Sequence, residues 1–196
     1  GEGAIVRDVD GNEYIDWNSG LGVLNVGQCN PKIIEAMINK AKSFMHYSYT
    51  DFRSREPVEL AESLNKILPM RCKYFFASGG TEANEAALKI ARHSTKKQLF
   101  LGFIGAFHGR TFGTMAFSST GTVQRRYFHP LMPGVTLLPY PYCYRCPYKL
   151  QYPDCNLWCV DFIDEWVLQK FVPPEEVAGF LFEPIQGENG YIVPPP

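Results

Sequence analysis

Four short apolar runs in this chain lack polar–apolar alternation, and three of them stop at polar clusters that carry glycine. Tyr74-Phe75-Phe76 runs into Ser78-Gly79-Gly80-Thr81, Leu99 to Ile104 into Gly105-Ala106-Phe107-His108-Gly109-Arg110, and Phe180-Leu181-Phe182 into Glu183-Pro184-Ile185-Gln186-Gly187-Glu188. Val135 to Leu138 is the fourth run. Strands buried on both faces of a parallel sheet read this way. Parallel strands need crossovers, and the segment after Thr81 supplies a helix, with Ala83, Ala86, Ala87, Ile90 and Ala91 on one face. The pattern predicts an α/β domain with a mainly parallel sheet flanked by helices.

The N-terminal part is organised differently. Ile5 to Trp17 alternates around Asp10-Gly11, a hairpin signal. Asn30-Pro31 predicts a helix cap followed by proline at the first helical position, and a second helix is expected from Glu56-Pro57. Residues 1–50 are therefore read as an N-terminal arm, and 51–196 as a partial α/β domain. The chain starts inside a strand-like segment and stops just after its densest polar cluster, so a fragment of a longer protein is expected. The 196 residues carry a net charge of -1, with no basic footprint for nucleic acid or an anionic membrane. No apolar run approaches a membrane span and no signal-peptide pattern opens the chain, so a cytoplasmic protein is expected.

Each cluster has a chemical and a structural reading. Gly79 and Gly80 allow a tight strand-to-helix turn, and the new helix offers free amides, its dipole and the Thr81 hydroxyl to an anion. The alternative is a plain turn. Phe107, His108 and Arg110 bring a ring, an imidazole and a guanidinium to the C-terminal end of a strand, where open parallel sheets bind ligands. Singly, they read as a core aromatic, a structural histidine and a surface ion pair. Glu183, Gln186 and Glu188 follow another buried strand, where unpaired carboxylates would be costly if dry. The alternative there is an exposed loop.

Three segments, 76–92 (Phe-Ala-Ser-Gly-Gly-Thr-Glu-Ala-Asn-Glu and onward), 106–111 (Ala-Phe-His-Gly-Arg-Thr) and 183–190 (Glu-Pro-Ile-Gln-Gly-Glu-Asn-Gly), resemble class III pyridoxal-phosphate-dependent aminotransferases in order and spacing, as does Gly20 to Gly27. The resemblance covers nearly the whole chain, and the group includes 4-aminobutyrate, ornithine and acetylornithine aminotransferases. It implies a fold-type-I large domain, a homodimer with sites at the subunit interface, and pyridoxal phosphate as cofactor. By that likeness Gly80 and Thr81 hold the phosphate, Phe107 stacks on the ring with His108 beside it, and Glu183 and Gln186 lie near the ring. Arg110 matches the arginine that takes a distal carboxylate, Leu21 an apolar residue of the substrate pocket, and Glu188 the glutamate that pairs with a mobile arginine. The implied partners are an ω-amino acid donor and a 2-oxo acid such as 2-oxoglutarate. None of the ten lysines stands in the family's cofactor-binding lysine motif, and the acid segment that protonates the pyridine nitrogen is not among these residues. The 196 residues alone are therefore expected to be inactive.

A Cys-rich insertion at about 139–160 departs from that pattern. Cys143, Cys146, Cys155 and Cys159 have the spacing of a metal knuckle, which leaves zinc, an iron–sulfur cluster, disulfides or idle thiols open. Cys29 and Cys72 are isolated and expected in the core. Two other functions stand beside the aminotransferase: a racemase or another cofactor enzyme on the same scaffold, and a non-enzymatic cysteine-knuckle interaction module.

Overall fold

The computed structural model describes all 196 residues, in two compact units, Gly1–Pro69 and Met70–Pro196. The division expected near residue 50 thus falls inside the first unit.

In the first unit β1 (Ile5–Arg7) and β2 (Glu13–Ile15) pair antiparallel, with Ile5 opposite Ile15. Asp8 ties the turn. Its carboxylate accepts from the amides of Asp10 and Asn12 at 3.0 and 2.9 Å and from the Asn12 side chain and Tyr14 hydroxyl, both at 2.9 Å. These bonds, that from the Asn12 side chain first, hold the Asp8 carboxyl below its usual range. Helix α1 (Pro31–Ser43) starts as predicted, with the Asn30 side chain accepting from the Lys32 amide at 3.1 Å. Helix α2 (Arg55–Ile67) is tied to it by a Lys40–Glu56 ion pair of 2.6 Å. Neither helix contains a buried residue, so Ile34, Met37, Ile38 and Leu60 stay exposed.

The second unit holds α3 (Gly80–Thr95), β3 (Leu99–Phe103), α4 (Phe112–Met115), β4 (Val135–Leu138), α5 (Trp158–Phe162) and β5 (Val177–Phe180). Its sheet has the order β4-β3-β5 and is parallel throughout, Leu101 pairing with Thr136 on one side and Phe180 on the other. The central strand explains the missing alternation. Phe100 and Leu101, 2% and 0% exposed, feed separate cores: Phe100 joins Leu88, Ala116 and Phe117, while Leu101 joins Leu138, Val167 and Val172. Each such side chain contributes about 1.5–3 kcal/mol by burial.

Two strands differ from expectation. Tyr74-Phe75-Phe76 forms no strand, because no neighbouring strand lies beside it to complete a ladder, and Phe75 and Phe76 are exposed. The run at Phe180–Phe182 is in the sheet two to three residues earlier, as β5; beyond Phe180 the Leu181 amide still donates to the Leu101 carbonyl of β3 at 2.9 Å. After α5 the chain makes a π-helical turn, Ile163–Leu168, that seats Val167 in the Leu101 core. No helix is long and apolar enough to cross a membrane.

Candidate active site

The turn after β3 and the turn after β5 are built into one another. Gly105, at φ +89°, has no room for a side chain: a Cβ there would lie 2.7 Å from Gln186 Oε1 and 2.8 Å from Asn189 Nδ2. Gln186 donates through Nε2 to the Ile104 carbonyl at 3.0 Å. Glu183 spans the gap with both oxygens, accepting from the Phe107 amide at 2.8 Å and the Gly187 amide at 2.9 Å. Tyr140 closes the arrangement, its hydroxyl donating to the carbonyls of Glu183 and Pro184 at 3.0 and 2.9 Å. Nothing in the sequence pattern singled out Tyr140, which follows β4 and reaches a segment more than forty residues away.

Helix α3 grips the same turn from the other side. Asn84 donates to the His108 carbonyl at 2.8 Å. Glu85 accepts from the Thr111 hydroxyl, and from the Thr114 amide at 3.0 Å, filling the space in front of Gly113. Ser118 accepts from the His108 amide at 2.9 Å and donates to the Gly109 carbonyl at 2.8 Å. Thr81, Asn84, Glu85 and Leu88 share one helix face by their spacing. That polar stretch above a buried leucine was the available sign that α3 holds a loop as well as a core.

The groups left free define what this edge can do. The first intrahelical bond of α3 runs from the Ala83 amide to the Gly79 carbonyl, so the amides of Gly80, Thr81 and Glu82 precede the ladder. The Glu82 carboxylate is engaged with the Ser78 amide at 2.9 Å. A side chain on Gly80 would meet nothing within 4 Å, so the space before the helix is open. Two side-chain atoms in the turns after β3 and β5 are buried without a partner, His108 Nε2 and Gln186 Oε1. Burial pushes the His108 pKa down, against an opposing pull from Glu183, so the imidazole is neutral at pH 7.

The structure therefore gathers Thr81, Phe107, His108, Glu183 and Gln186 at the ends of β3 and β5, with Gly80 at the start of α3. Gln186, 1% exposed, is turned under Gly105 as a support. Arg110 and Glu188 are exposed and neither makes an ion pair. Leu21 lies in the first unit, 78% exposed and at φ +65°.

The four clustered cysteines line one cavity of about 20 Å³ with tyrosines, Trp158, leucines and prolines as its other walls. No disulfide joins any of the six cysteines. No group of three or more histidine, cysteine, aspartate or glutamate side chains is placed to hold a metal ion. The expectation of zinc or an iron–sulfur cluster at Cys143, Cys146, Cys155 and Cys159 therefore finds no support in the placed side chains. Cys29 is also not in the core; it is exposed in a turn at φ +50°, and Cys72 is half-buried.

A sheet edge with these motifs in register defines a class of protein, and comparison with known proteins gives the same answer. The model of "Aminotransferase class-III" matches residues 1–196, and the chain belongs to the class III aminotransferase family. It is 37% identical over 196 residues to a probable 4-aminobutyrate aminotransferase of Bacillus subtilis, covering 99% of this chain and 45% of that protein. It is 35% identical over 200 residues to an alanine/serine racemase of Pyrococcus horikoshii, covering 100% of this chain and 42% of that protein. Among solved structures, a PLP-bound amine transaminase from an uncultivated Pseudomonas species superposes with a TM-score of 0.90 at 26% identity, over 100% of this chain and 46% of that one. The chain thus spans less than half the length of these relatives.

Proposed function

We propose that the whole protein is a pyridoxal-phosphate-dependent aminotransferase that moves an amino group from an ω-amino acid such as 4-aminobutyrate to a 2-oxo acid such as 2-oxoglutarate. The observation that carries this reading is the convergence of the three clusters, with Gly109 against Thr81 and Gly105 against Gln186, beside an open helix N-terminus. The residues fit the cofactor. The free amides of Gly80 and Thr81, the Thr81 hydroxyl and the α3 dipole suit a phosphate. Phe107 suits a ring platform, fixed by its own amide on Glu183.

When bound, the cofactor supplies the electron sink for breaking a bond at the amine-bearing carbon. The chain's residues hold and orient. Neutral His108 stands beside the ring without adding a charge. Glu183 and Gln186 keep the turn after β3 in place, and Leu21 lines the substrate pocket. Arg110, free of any ion pair, takes the distal carboxylate of the donor bidentately. Glu188 holds a mobile arginine supplied elsewhere in the protein, releasing it when an α-carboxylate arrives. The protein works as a cytoplasmic homodimer, which accounts for the apolar faces left open on α1 and α2. The 196 residues alone are expected to give no turnover, since the cofactor-binding lysine is not among them.

A racemase is the second reading, favoured by the 35% identity to an alanine/serine racemase. Product analysis separates the two. Incubated with 4-aminobutyrate and 2-oxoglutarate, the whole protein should form glutamate. Inversion of a single alanine enantiomer without any 2-oxo acid, and no glutamate from 4-aminobutyrate, would replace the aminotransferase with the racemase.

A further inference from the structure

Helix α4 is capped by a side chain from another helix. Thr111 stands at the cap position before Phe112, where a threonine ordinarily accepts from an amide of the first turn. Here it makes no such bond. Its hydroxyl donates to Glu85 Oε1 instead, and the same oxygen accepts from the Thr114 amide at 3.0 Å, one of the amides a cap would take. Gly113 leaves the space for this, because a Cβ there would lie 2.6 Å from Glu85 Oε1. Behind the cap the Thr111 carbonyl accepts from the Met115 amide at 2.7 Å, the start of the helical turn.

Arg110 lies between this cap and a second set of contacts. Its side chain is exposed and makes no ion pair, with Glu85 or any other acid, so its backbone decides where the guanidinium can stand. On the N-terminal side Asn84 holds the His108 carbonyl at 2.8 Å, and Thr81 abuts Gly109. On the C-terminal side Glu85 holds the Thr111 hydroxyl. Thr81, Asn84 and Glu85 all belong to the first two turns of α3, the helix whose opening amides at Gly80 and Thr81 face open space. At about 1.5 Å of rise per residue, Glu85 stands about 7–8 Å along the axis from Gly80. One rigid helix therefore sets both the anion-binding end of the site and the backbone that carries Arg110.

We propose that Glu85 is a positioning residue for substrate: by capping α4 from α3 it fixes Arg110, and with it the carboxylate subsite, relative to the amides of Gly80 and Thr81. This rests on the reading of Arg110 as the group that takes the distal carboxylate. Glu85 touches neither substrate nor cofactor and acts only through the turn. One carboxylate oxygen accepts both bonds, so the carbonyl oxygen of a glutamine can replace it.

The test compares Glu85→Ala, Glu85→Gln, Arg110→Lys and the double variant Glu85→Ala/Arg110→Lys in the whole protein. Amide exchange over residues 111–118, followed by mass spectrometry, should quicken in Glu85→Ala and stay near wild type in Glu85→Gln. Glu85→Ala should raise KM for 4-aminobutyrate by about tenfold with a much smaller change in kcat, since what is lost is binding common to ground and transition states. Glu85→Gln should restore most of it, and pyridoxal phosphate affinity should be unchanged in both. The double variant should be no worse than Arg110→Lys alone, because a residue that acts only through the arginine has nothing left to position. Normal turnover by Arg110→Lys would remove the arginine reading and this proposal with it. An impaired Arg110→Lys beside an unimpaired Glu85→Ala, losses that add in the double variant, or weaker cofactor binding in Glu85→Ala would overturn the role of Glu85 alone. If Glu85→Ala does not fold, Thr111→Val deletes one of the two bonds with little change of shape, and its effect on KM must likewise vanish in the Arg110→Lys background.

Discussion

Gly109 and Thr81 stand so close that a Cβ on the glycine would lie 2.5 Å from the Thr81 hydroxyl oxygen, and Gly109 itself is at φ +129°. The start of α3 and the turn after β3 are locked together at a point where only glycine fits. Gly109→Ala should therefore destabilise the protein by about 1–3 kcal/mol in urea unfolding, from strain and displacement of Thr81. Gly179→Ala, where an added Cβ meets nothing within 4 Å, is the control and should change little. Equal behaviour of the two variants would show that the contact between α3 and the turn is loose.

Gly80 gives the complementary case. A side chain there touches nothing in the chain, so Gly80→Leu should leave the unfolding midpoint near wild type. It should nevertheless weaken pyridoxal phosphate binding by at least about tenfold, roughly 1.4 kcal/mol, because the ligand can no longer approach the amides. Equilibrium dialysis on the whole protein checks this. Unchanged cofactor retention would place the phosphate elsewhere.

Arg110 is flanked by neighbours that are pinned on both sides, by Asn84 and Ser118 at the His108 and Gly109 carbonyls and by Glu85 at the Thr111 hydroxyl, while its own guanidinium is unpaired. Arg110→Lys should lower kcat/KM for 4-aminobutyrate by about one to two orders of magnitude, on the ~1.5–3 kcal/mol scale of a charged hydrogen bond, with cofactor absorbance intact. Normal turnover of 4-aminobutyrate by the variant would remove the arginine from substrate binding.

His108 sets a pH dependence with a definite sign. Its folded pKa lies below the ordinary value of 6.5 because the ring is buried. Above 6.5 the ring is neutral folded or unfolded and costs nothing. As pH falls below 6.5 the unfolded chain takes up a proton that the folded one refuses, so stability declines until the folded ring titrates too. Thermal midpoints measured downward from pH 7 should fall more steeply for wild type than for His108→Gln. Parallel curves would mean that His108 is not the group responsible.

The sheet and the converging clusters were legible because Phe100 and Leu101 are both apolar yet face opposite cores, and because Gly79-Gly80 and Gly105 mark turns by their chemistry. The clamps were not. Tyr140 on Glu183, Asn84 on His108 and Glu85 on Thr114 join segments whose pairing depends on the closed fold, and each residue alone reads as an ordinary surface polar group. Tyr74-Phe75-Phe76 misled for a related reason: local composition reports that a segment suits a strand but cannot report whether a neighbour is there to pair with it. The metal expected from the cysteine spacing finds no support, because spacing fixes sequence distance and leaves the direction of each thiol undetermined.

The central place of β3 also sets an order of assembly. Leu101 must find Thr136 across a shorter loop than the one that separates it from Phe180, so the β3–β4 ladder closes at lower entropic cost and β5 docks later. Glu183 follows β5, and with it comes the carboxylate that fixes the Phe107 amide. The aromatic shelf after β3 is thus expected to stay loose until β5 is in place, so a ligand that needs that shelf meets a fixed surface only after β5 has docked.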